Sequence, residues 1–463
     1  MLRCAAAILL SLCPGLAVAA DAPPNVVFVL ADDLGWADLG CQGSKYYETP
    51  NLDRMAKDGM RFTAAYTCGP NCQPTRAALM TGQYGPRTGV YTVGATSRFD
   101  TSMRPLVPVE NVQQLPLDRP TLGDAMKAAG YATALYGKWH LGQQGKYHPS
   151  ARGFDSAITS MGKHFDFATQ PAVEYPKGAY LADWLTDNAV AFIEKSKDKP
   201  FFLCLHHFGV HSPHEAKPEL VERFKKKPGA GGHNNPTYAA MIYSVDESVG
   251  RVLKTLDDLK LTENTLVIFT SDNGGVGGYV EAGVKTKEGI TNNAPLRGGK
   301  GMLYEGGVRV AWIARWPGKV KAGLACDEPI ISIDLYPTLL QLANAKPKPG
   351  HVLDGTSITP LLFGNGGRVQ GQARKPLYWH FPGYLGSGKD QWRTTPAGAM
   401  RAGDWKLIEF FESGKIELYN LADDISEKTD LSAKMPDRAK EMREDLALWR
   451  QSVNAKMPEK RKK

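Results

Sequence analysis

The sequence predicts an α/β protein: a large mixed, mainly parallel sheet sandwiched by helices, with a small C-terminal antiparallel sheet plus helix. Three observations predict it. Continuous apolar runs of strand length recur along the chain, amphipathic helical patterns lie between them, and beyond about residue 370 short strands follow one another before a closing helix.

The elements follow in order. Val26, Val27, Phe28, Val29 and Leu30 are uniformly apolar, the form of a strand buried on both faces. Thr121 reads as a helix N-cap with Asp124 three residues on; Leu122, Ala125, Met126 and Ala129 make the apolar side, and Gly130 is the stop. Residues 132–136 and 201–205 repeat the buried-strand form. A helix over about 238–259 presents Met241, Ile242, Val245, Val249, Val252, Leu253 and Leu256 at intervals of three and four, and residues 266–269 form the next strand. Residues 377–379, 405–408 and 417–421 read as short strands, and Ala439, Met442, Leu446, Trp449 and Val453 place the closing helix. The glycine-rich stretch 364–375 is the predicted boundary, dividing a large domain of residues 21–370 from a subdomain of residues 371–463.

The chain has 463 residues, with 56 Lys and Arg against 48 Asp and Glu and a net charge of +8. This composition excludes collagen-like, disordered and multi-span membrane classes. The basic balance would point to nucleic acid only if it formed a face, and it does not. Arg3 lies in the leader, and Lys456, Lys460, Arg461, Lys462 and Lys463 lie in the last eight residues, which read as a flexible basic tail. No nucleic-acid partner is expected.

Arg3, the apolar residues 5–12 and the small residues Ala17, Val18, Ala19 and Ala20 follow the order of a secretory signal peptide. Residues 1–20 are therefore expected to be removed near Ala19/Ala20, giving an exported protein, periplasmic or secreted, without stable membrane insertion. Leu12 fits poorly before Cys13 as a lipid-anchor site. Cys41, Cys68, Cys72, Cys204 and Cys326 remain in the mature chain, an odd number in an oxidising compartment.

Each buried strand runs into polar chemistry: Asp32 and Asp33 after the first, Lys138 and His140 after the second, His206, His207 and His211 after the third, Asp272 and Asn273 after the fourth. In an open parallel sheet the ligand site lies beyond the carboxyl ends of the strands, so these clusters are expected to converge. Asp32, Asp33, Asp272 and Asn273 offer only oxygen, which favours calcium or magnesium over zinc. A helix cap or turn is the plainer reading of Asp32 and Asp33 taken alone. The sharpest local signal runs Cys72-Gln73-Pro74-Thr75-Arg76-Ala77-Ala78-Leu79-Met80-Thr81-Gly82. Pro74 suits a first helical turn, which puts Cys72 at the helix N-terminus, where an anion is favoured, and Arg76 one turn on. Cys72 is then either a reactive thiol or half of a disulfide with Cys68 or another cysteine.

At this point the sequence resembles the type I sulfatases, in which the motif is Cys-x-Pro-Ser-Arg; Thr75 stands in the serine position here. The resemblance continues from Pro24, Asn25 and Val26 to Gly40, through Gly137-Lys138-Trp139-His140-Leu141-Gly142 and Ser271-Asp272-Asn273-Gly274-Gly275, and from Leu296-Arg297-Gly298-Gly299-Lys300 to Gly306-Gly307-Val308-Arg309. It covers nearly all of the mature chain. It implies an alkaline-phosphatase-like fold and a sulfuric ester hydrolase of arylsulfatase type. It further implies that a formylglycine-generating maturation enzyme converts Cys72 to 3-oxoalanine, and that one calcium ion is bound by Asp32, Asp33, Asp272, Asn273 and the modified Cys72. The formylglycine hydrate would attack sulfur with one hydroxyl. His140 would deprotonate the second to release sulfate. Arg76 and Lys138 would neutralise charge around the hydrate and metal, while Lys300 and His211 would contact the sulfate, His211 protonating the leaving oxygen.

Plainer readings compete at several positions. Lys138 and His140 could line an exposed loop, Lys300 lies in a glycine-rich segment that could simply be mobile, and His206 and His207 read as core histidines beside His211 and His214. Two aperiodic segments, residues 84–118 and 153–176, contain Arg98, Arg104, His164 and Asp166 and are the expected determinants of specificity. Export favours a sulfated carbohydrate as substrate. The alternatives are a phosphatase or phosphodiesterase of the same superfamily, with a Ser or Thr nucleophile and two zinc ions, or a non-catalytic sulfated-glycan binder with an unconverted cysteine.

Overall fold

The architecture is that of a computed structural model, which describes residues 23–284, 289–364, 375–388 and 391–462. The predicted signal peptide and the predicted boundary at 370/371 lie outside the described residues. Ten strands precede the C-terminal region: β1 (Asn25–Ala31), β2 (Met60–Tyr66), β3 (Leu106–Val107), β4 (Ala132–Gly137), β5 (Ser156–Thr159), β6 (Phe201–His206), β7 (Thr265–Ser271), β8 (Arg309–Arg315), β9 (Leu324–Cys326) and β10 (Ile330–Ile331). One sheet runs in the order β10-β2-β8-β7-β1-β6-β4-β5, with β9 alongside β2. Only β8 runs against its neighbours β2 and β7; the other pairings are parallel, as the uniformly apolar runs predict.

Register fixes where the strands end. Leu30 pairs with His206, Ala31 with Ser271, and Gly137 with His206, so β1, β4, β6 and β7 finish at one edge of the sheet. The residues that follow them are therefore delivered to one place. Alternate side chains of β1 serve two cores. Val27 and Val29 pack with the helices Leu181–Ser196 and Pro236–Asp258, while Val26, Phe28 and Leu30 pack with Cys72–Thr81, Leu122–Ala128 and Leu335–Leu342. The Thr121–Asp124 capping box forms as the sequence predicts.

The C-terminal sheet runs Leu377–Phe381, Ala397–Ala402, Trp405–Phe410 and Ile416–Asn420, antiparallel throughout, with the helix Pro436–Ser452 packed on it. Two expectations need correction. The basic tail is not flexible: Glu459–Lys460 pairs with β3, and Arg461 donates to the carbonyls of Thr101 and Arg104. Main-chain and side-chain bonds to another segment cannot be foreseen from a run of charge. Segment 153–176 is not aperiodic throughout, since residues 156–159 add the edge strand β5, too short to show a period.

A buried ionic lock joins this sheet to the large one. The Lys406 ammonium lies 2.8 Å from Glu305 Oε1 and 2.9 Å from Glu427 Oε1, with none of the three side chains exposed. Tyr66 and Arg309 also donate to Glu305 Oε2, at 2.6 and 3.1 Å, and the Glu305 amide donates to Glu427 Oε2 at 2.7 Å. Burial pushes the Glu427 carboxyl up to about 7, with Lys406 opposing the shift and Glu305 adding to it. Lys406→Met should therefore leave two carboxylates buried without their cation and lower stability by about 3–5 kcal/mol in chemical denaturation. Glu427→Gln keeps an acceptor and sheds only the less acidic carboxyl, so a loss of about 1 kcal/mol is expected. Equal losses in the two variants would contradict this account of the lock.

Candidate active site

Cys72 opens the helix Cys72–Thr81, and Gly82 closes it in the left-handed region at φ 65°. A Cβ at Gly69 would lie 2.7 Å from Pro74 Cγ, so the turn into the helix needs glycine there. Thr75 Oγ1 donates to the carbonyls of Gly69 and Asn71, at 3.1 and 3.2 Å. The hydroxyl that serine would provide is thus present, and the extra methyl is accommodated. Cys72 and Cys68 are separate thiols, so the disulfide alternative is not formed. Cys72 is 2% exposed, and its Sγ lies within 4.8 Å of a carboxylate oxygen of both Asp32 and Asp272.

The strand ends bring three carboxylates together with three cations. Lys138 Nζ donates to Asp32 Oδ2 at 2.5 Å, Arg76 Nε to Asp272 Oδ2 at 2.8 Å, and Lys300 Nζ to Asp33 Oδ2 at 2.8 Å. Arg76 also donates from NH1 to the Lys138 carbonyl, which couples the helix to the end of β4. Burial alone would raise the Asp32 and Asp33 carboxyls; Lys138 and Lys300 respectively, each helped by His211, hold them below the usual range. Asp272 is pushed up to about 7 by burial and by the neighbouring Asp32 carboxylate, against the pull of Arg76. Lys138 and Lys300 stay above the usual lysine range because Asp32 and Asp33 offset their burial.

The donor set fits a hard cation. Asp32 Oδ1 and Asn273 Oδ1 are buried and have no hydrogen-bond partner, while Asn273 Nδ2 donates to Asp33 Oδ1 at 2.8 Å. That orients the amide with its oxygen free, and two orphan oxygens beside three carboxylates are what a calcium-sized ion would satisfy. Among the described residues the two candidate metal groups, Asp32 with Asp33 and His211, and Asp32 with Cys72 and Asp272, share Asp32 and so mark one centre.

His140 lies inside this field. Burial, then Lys138 and Arg76, drive its imidazole well below the usual range, so it is neutral, and its buried Nδ1 has no partner. His211 Nε2 stands 3.7 Å from Asp33 Oδ2, and its Nδ1 is fixed by its own neighbour, the Ser212 carbonyl, at 2.6 Å. The other histidines do not join the cluster. His206 packs edge-on against Phe28, His207 bonds Ser248 Oγ at 2.9 Å, and His214 faces the Tyr238 ring.

Of the four specificity candidates, His164 supports His211, bonding its carbonyl through Nε2 at 2.8 Å. Arg104 forms an ion pair with Glu412. Asp166 takes a left-handed backbone at φ 46°, and the Arg98 guanidinium lies over the Phe99 ring. Sequence reasoning missed Asn293, whose Nδ2 donates to the carbonyls of Gly275, Gly277 and Gly298 and holds the glycine-rich segment under Lys300. An asparagine among glycines carries no period or motif that would have exposed it. The glycines near Lys300 are there for close packing, since a Cβ at Gly274 would lie 1.8 Å from the Gly306 carbonyl oxygen.

The Sulfatase family model matches residues 24–345. The chain belongs to the sulfatase family. A second model, for the C-terminal region of N-sulphoglucosamine sulphohydrolase, matches residues 299–452. This sulfatase is similar to a sulfatase of Formosa agariphila, 34% identical over 94% of this chain and 90% of that protein. It is also similar to the N-acetylgalactosamine-6-sulfatase of Canis lupus familiaris, 35% identical over 75% of this chain and 67% of that protein. Among solved structures it resembles Ps i-CgsB, with a TM-score of 0.77 and 31% identity over 92% of each chain; that protein has also been solved in complex with k-i-k-neocarrahexaose. The chain is thus a sulfuric ester hydrolase with the alkaline-phosphatase-like architecture.

The pairing of Arg76 with Asp272 has a measurable consequence. Arg76→Gln leaves that carboxylate buried beside Asp32 without its cation and should lower stability by about 3 kcal/mol in urea titration of the metal-free protein. Arg76→Lys should recover only part of this, because an ammonium on a shorter reach cannot serve both Asp272 and the Lys138 carbonyl.

Proposed function

We propose that this sulfatase is exported and hydrolyses the sulfate esters of a sulfated carbohydrate, through a formylglycine made from Cys72 by a maturation enzyme and one calcium ion held by Asp32, Asp33, Asp272 and Asn273 beside it. The observation that carries the reading is the position of Cys72, buried at a helix N-terminus against the carboxylates of Asp32 and Asp272 and ringed by Arg76, Lys138 and Lys300. The carbohydrate class is supported by relatives named for an N-acetylgalactosamine sulfate and crystallised with a neocarrahexaose. Export rests on residues 1–20, and we divide the mature chain at 370/371 into the two sheets.

Calcium would hold a sulfate oxygen and screen the carboxylates, and formylglycine would supply a hydroxyl to attack sulfur and a second one to be deprotonated. The protein's own groups do the rest. Lys300 donates to sulfate oxygens from the position where it now reaches Asp33. Arg76 and Lys138 keep the floor of the site cationic without leaving it, since each is already bonded to a carboxylate. His140, kept neutral by its surroundings, accepts a proton. His211 has Nδ1 engaged by the Ser212 carbonyl, which leaves Nε2 to carry the proton to the departing sugar oxygen. Cys72 is 2% exposed where helix and sheet meet, and a site sheltered from water strengthens each of these contacts.

In protein made with a competent maturation system, the tryptic peptide containing Cys72 should show the mass of formylglycine, and Cys72→Ala should abolish turnover while leaving the melting curve intact. An unmodified thiol in such material would identify a glycan binder and sink the hydrolase mechanism. Calcium added to chelated protein should raise the melting temperature, by an amount equivalent to about 2.7 kcal/mol at a hundredfold excess over Kd. Asp33→Ala should lose that response, and two bound zinc ions per chain in metal analysis would instead favour the phosphatase reading.

A further inference from the structure

Two arginines stand beside the site and none of the roles above uses them. Residues 92–98 are tied to both neighbours of Cys72: Asn71 Nδ2 donates to Thr92 Oγ1 at 3.1 Å, and the Gly94 amide to Gln73 Oε1 at 3.2 Å. On that loop the Arg98 guanidinium lies 4.6 Å over the Phe99 ring, and Phe99 meets Trp392 edge-on at 5.5 Å. Arg393, next to Trp392 in the hairpin formed by Leu385–Gly388 and Gln391–Thr394, packs against Gly301, where a Cβ would meet its Cδ at 3.0 Å. Its guanidinium lies 4.4 Å over the Tyr279 ring, whose hydroxyl donates to the Lys300 carbonyl at 3.1 Å. One guanidinium is therefore anchored to the Cys72 turn and the other to the Lys300 turn, with Phe99 and Trp392 between them.

Among the described residues neither arginine makes an ion pair, whereas Arg104, six residues beyond Arg98, is paired with Glu412. A guanidinium held over a ring face by cation–π attraction makes no hydrogen bond in doing so and keeps its N–H donors for an anion. Burial lowers the Arg98 guanidinium while charge at Cys72 opposes it, which puts Arg98 in the electrostatic field of the nucleophile position. Arg76, Lys138 and Lys300 are already matched by carboxylates at the floor, whereas Arg98 and Arg393 are free to meet charge elsewhere on the substrate.

We propose that Arg98 and Arg393 line a subsite for sulfate groups of the substrate glycan other than the one removed, so that this enzyme selects sugars carrying more than the one sulfate it removes. The proposal rests on the sulfatase reading given above, and binding and turnover test the two separately. Calorimetric titration of Cys72→Ala protein, which cannot consume its ligand, would use N-acetylgalactosamine 6-sulfate, N-acetylgalactosamine 4,6-disulfate and a disaccharide with one sulfate on each ring. At least one disulfated probe should bind about tenfold tighter than the monosulfated one, the size of one charge-assisted contact, and the tighter probe tells whether the second sulfate lies on the same ring or the next. Adding Arg98→Gln and Arg393→Gln should bring the three probes to about equal affinity, and adding R98K and R393K should restore only part of the preference, each with an unchanged melting curve. Equal affinity of all probes for the parent, or a preference that survives the double glutamine change, would overturn the subsite. Turnover of p-nitrophenyl sulfate by the mature protein reads the sulfatase function independently, so its absence beside an intact binding preference would refute only that reading.

Discussion

Three carboxylates buried at one edge of a sheet are the constraint on which the rest of this protein depends. Asp32, Asp33 and Asp272 lie close enough that the ionisation of one raises the pKa of another, and Asp272 shows it. The fold answers with three cations drawn from three other segments: Arg76 from a helix, Lys138 from the end of β4 and Lys300 from a glycine-rich turn. Each cation is matched to one carboxylate, so the cluster is close to neutral yet leaves two oxygens without partners. Those two oxygens are what a further cation would satisfy, and the charge it added would in turn favour an anionic ester.

The geometry is supplied by register more than by local conformation. Because Leu30, Gly137 and Thr270 are level with one another through the pairings of Leu30 and His206, the residues one or two steps further along four strands meet without any long loop having to bring them together. The Lys300 turn is the exception. It is held by Asn293 and Tyr279 of its own segment, Tyr279 donating to the Lys300 carbonyl, and by the C-terminal hairpin, where Thr394 donates to the Gly301 carbonyl. That hairpin is thus part of the site's framework, although it adds no carboxylate or cation to the floor.

Much of this was legible in the sequence, for a definite reason. A strand buried on both faces announces itself as an apolar run, and the polar residues directly after it must sit at the sheet edge, so Asp32, Asp33, Lys138, Asp272 and Asn273 could be grouped before any coordinates. His211 was separable from His206 and His207 only through its family context, and the structure gives the physical difference: those two lie on or beside β6 and bond inward, whereas His211 lies beyond the turn. The pairing within the cluster was not legible. Arg76 and Asp272 are 196 residues apart and Lys300 and Asp33 are 267 apart, and no spacing rule links positions so distant. Nor was the antiparallel insertion of β8 between β2 and β7, or the docking of the last residues on β3, because both depend on partners rather than on the segments' own pattern.

The lock between Lys406, Glu305 and Glu427 also sets an order in time. Glu305 lies only five residues beyond Lys300, and its cation arrives about a hundred residues later in the chain. Synthesis therefore delivers Cys72, the carboxylates and the Lys300 turn well before the lysine that pairs with Glu305. Until the last strands emerge, Glu305 has no buried lysine to meet, and the two sheets lack that ionic contact. In the finished fold Cys72 is 2% exposed, which leaves its side chain little room to meet a second protein.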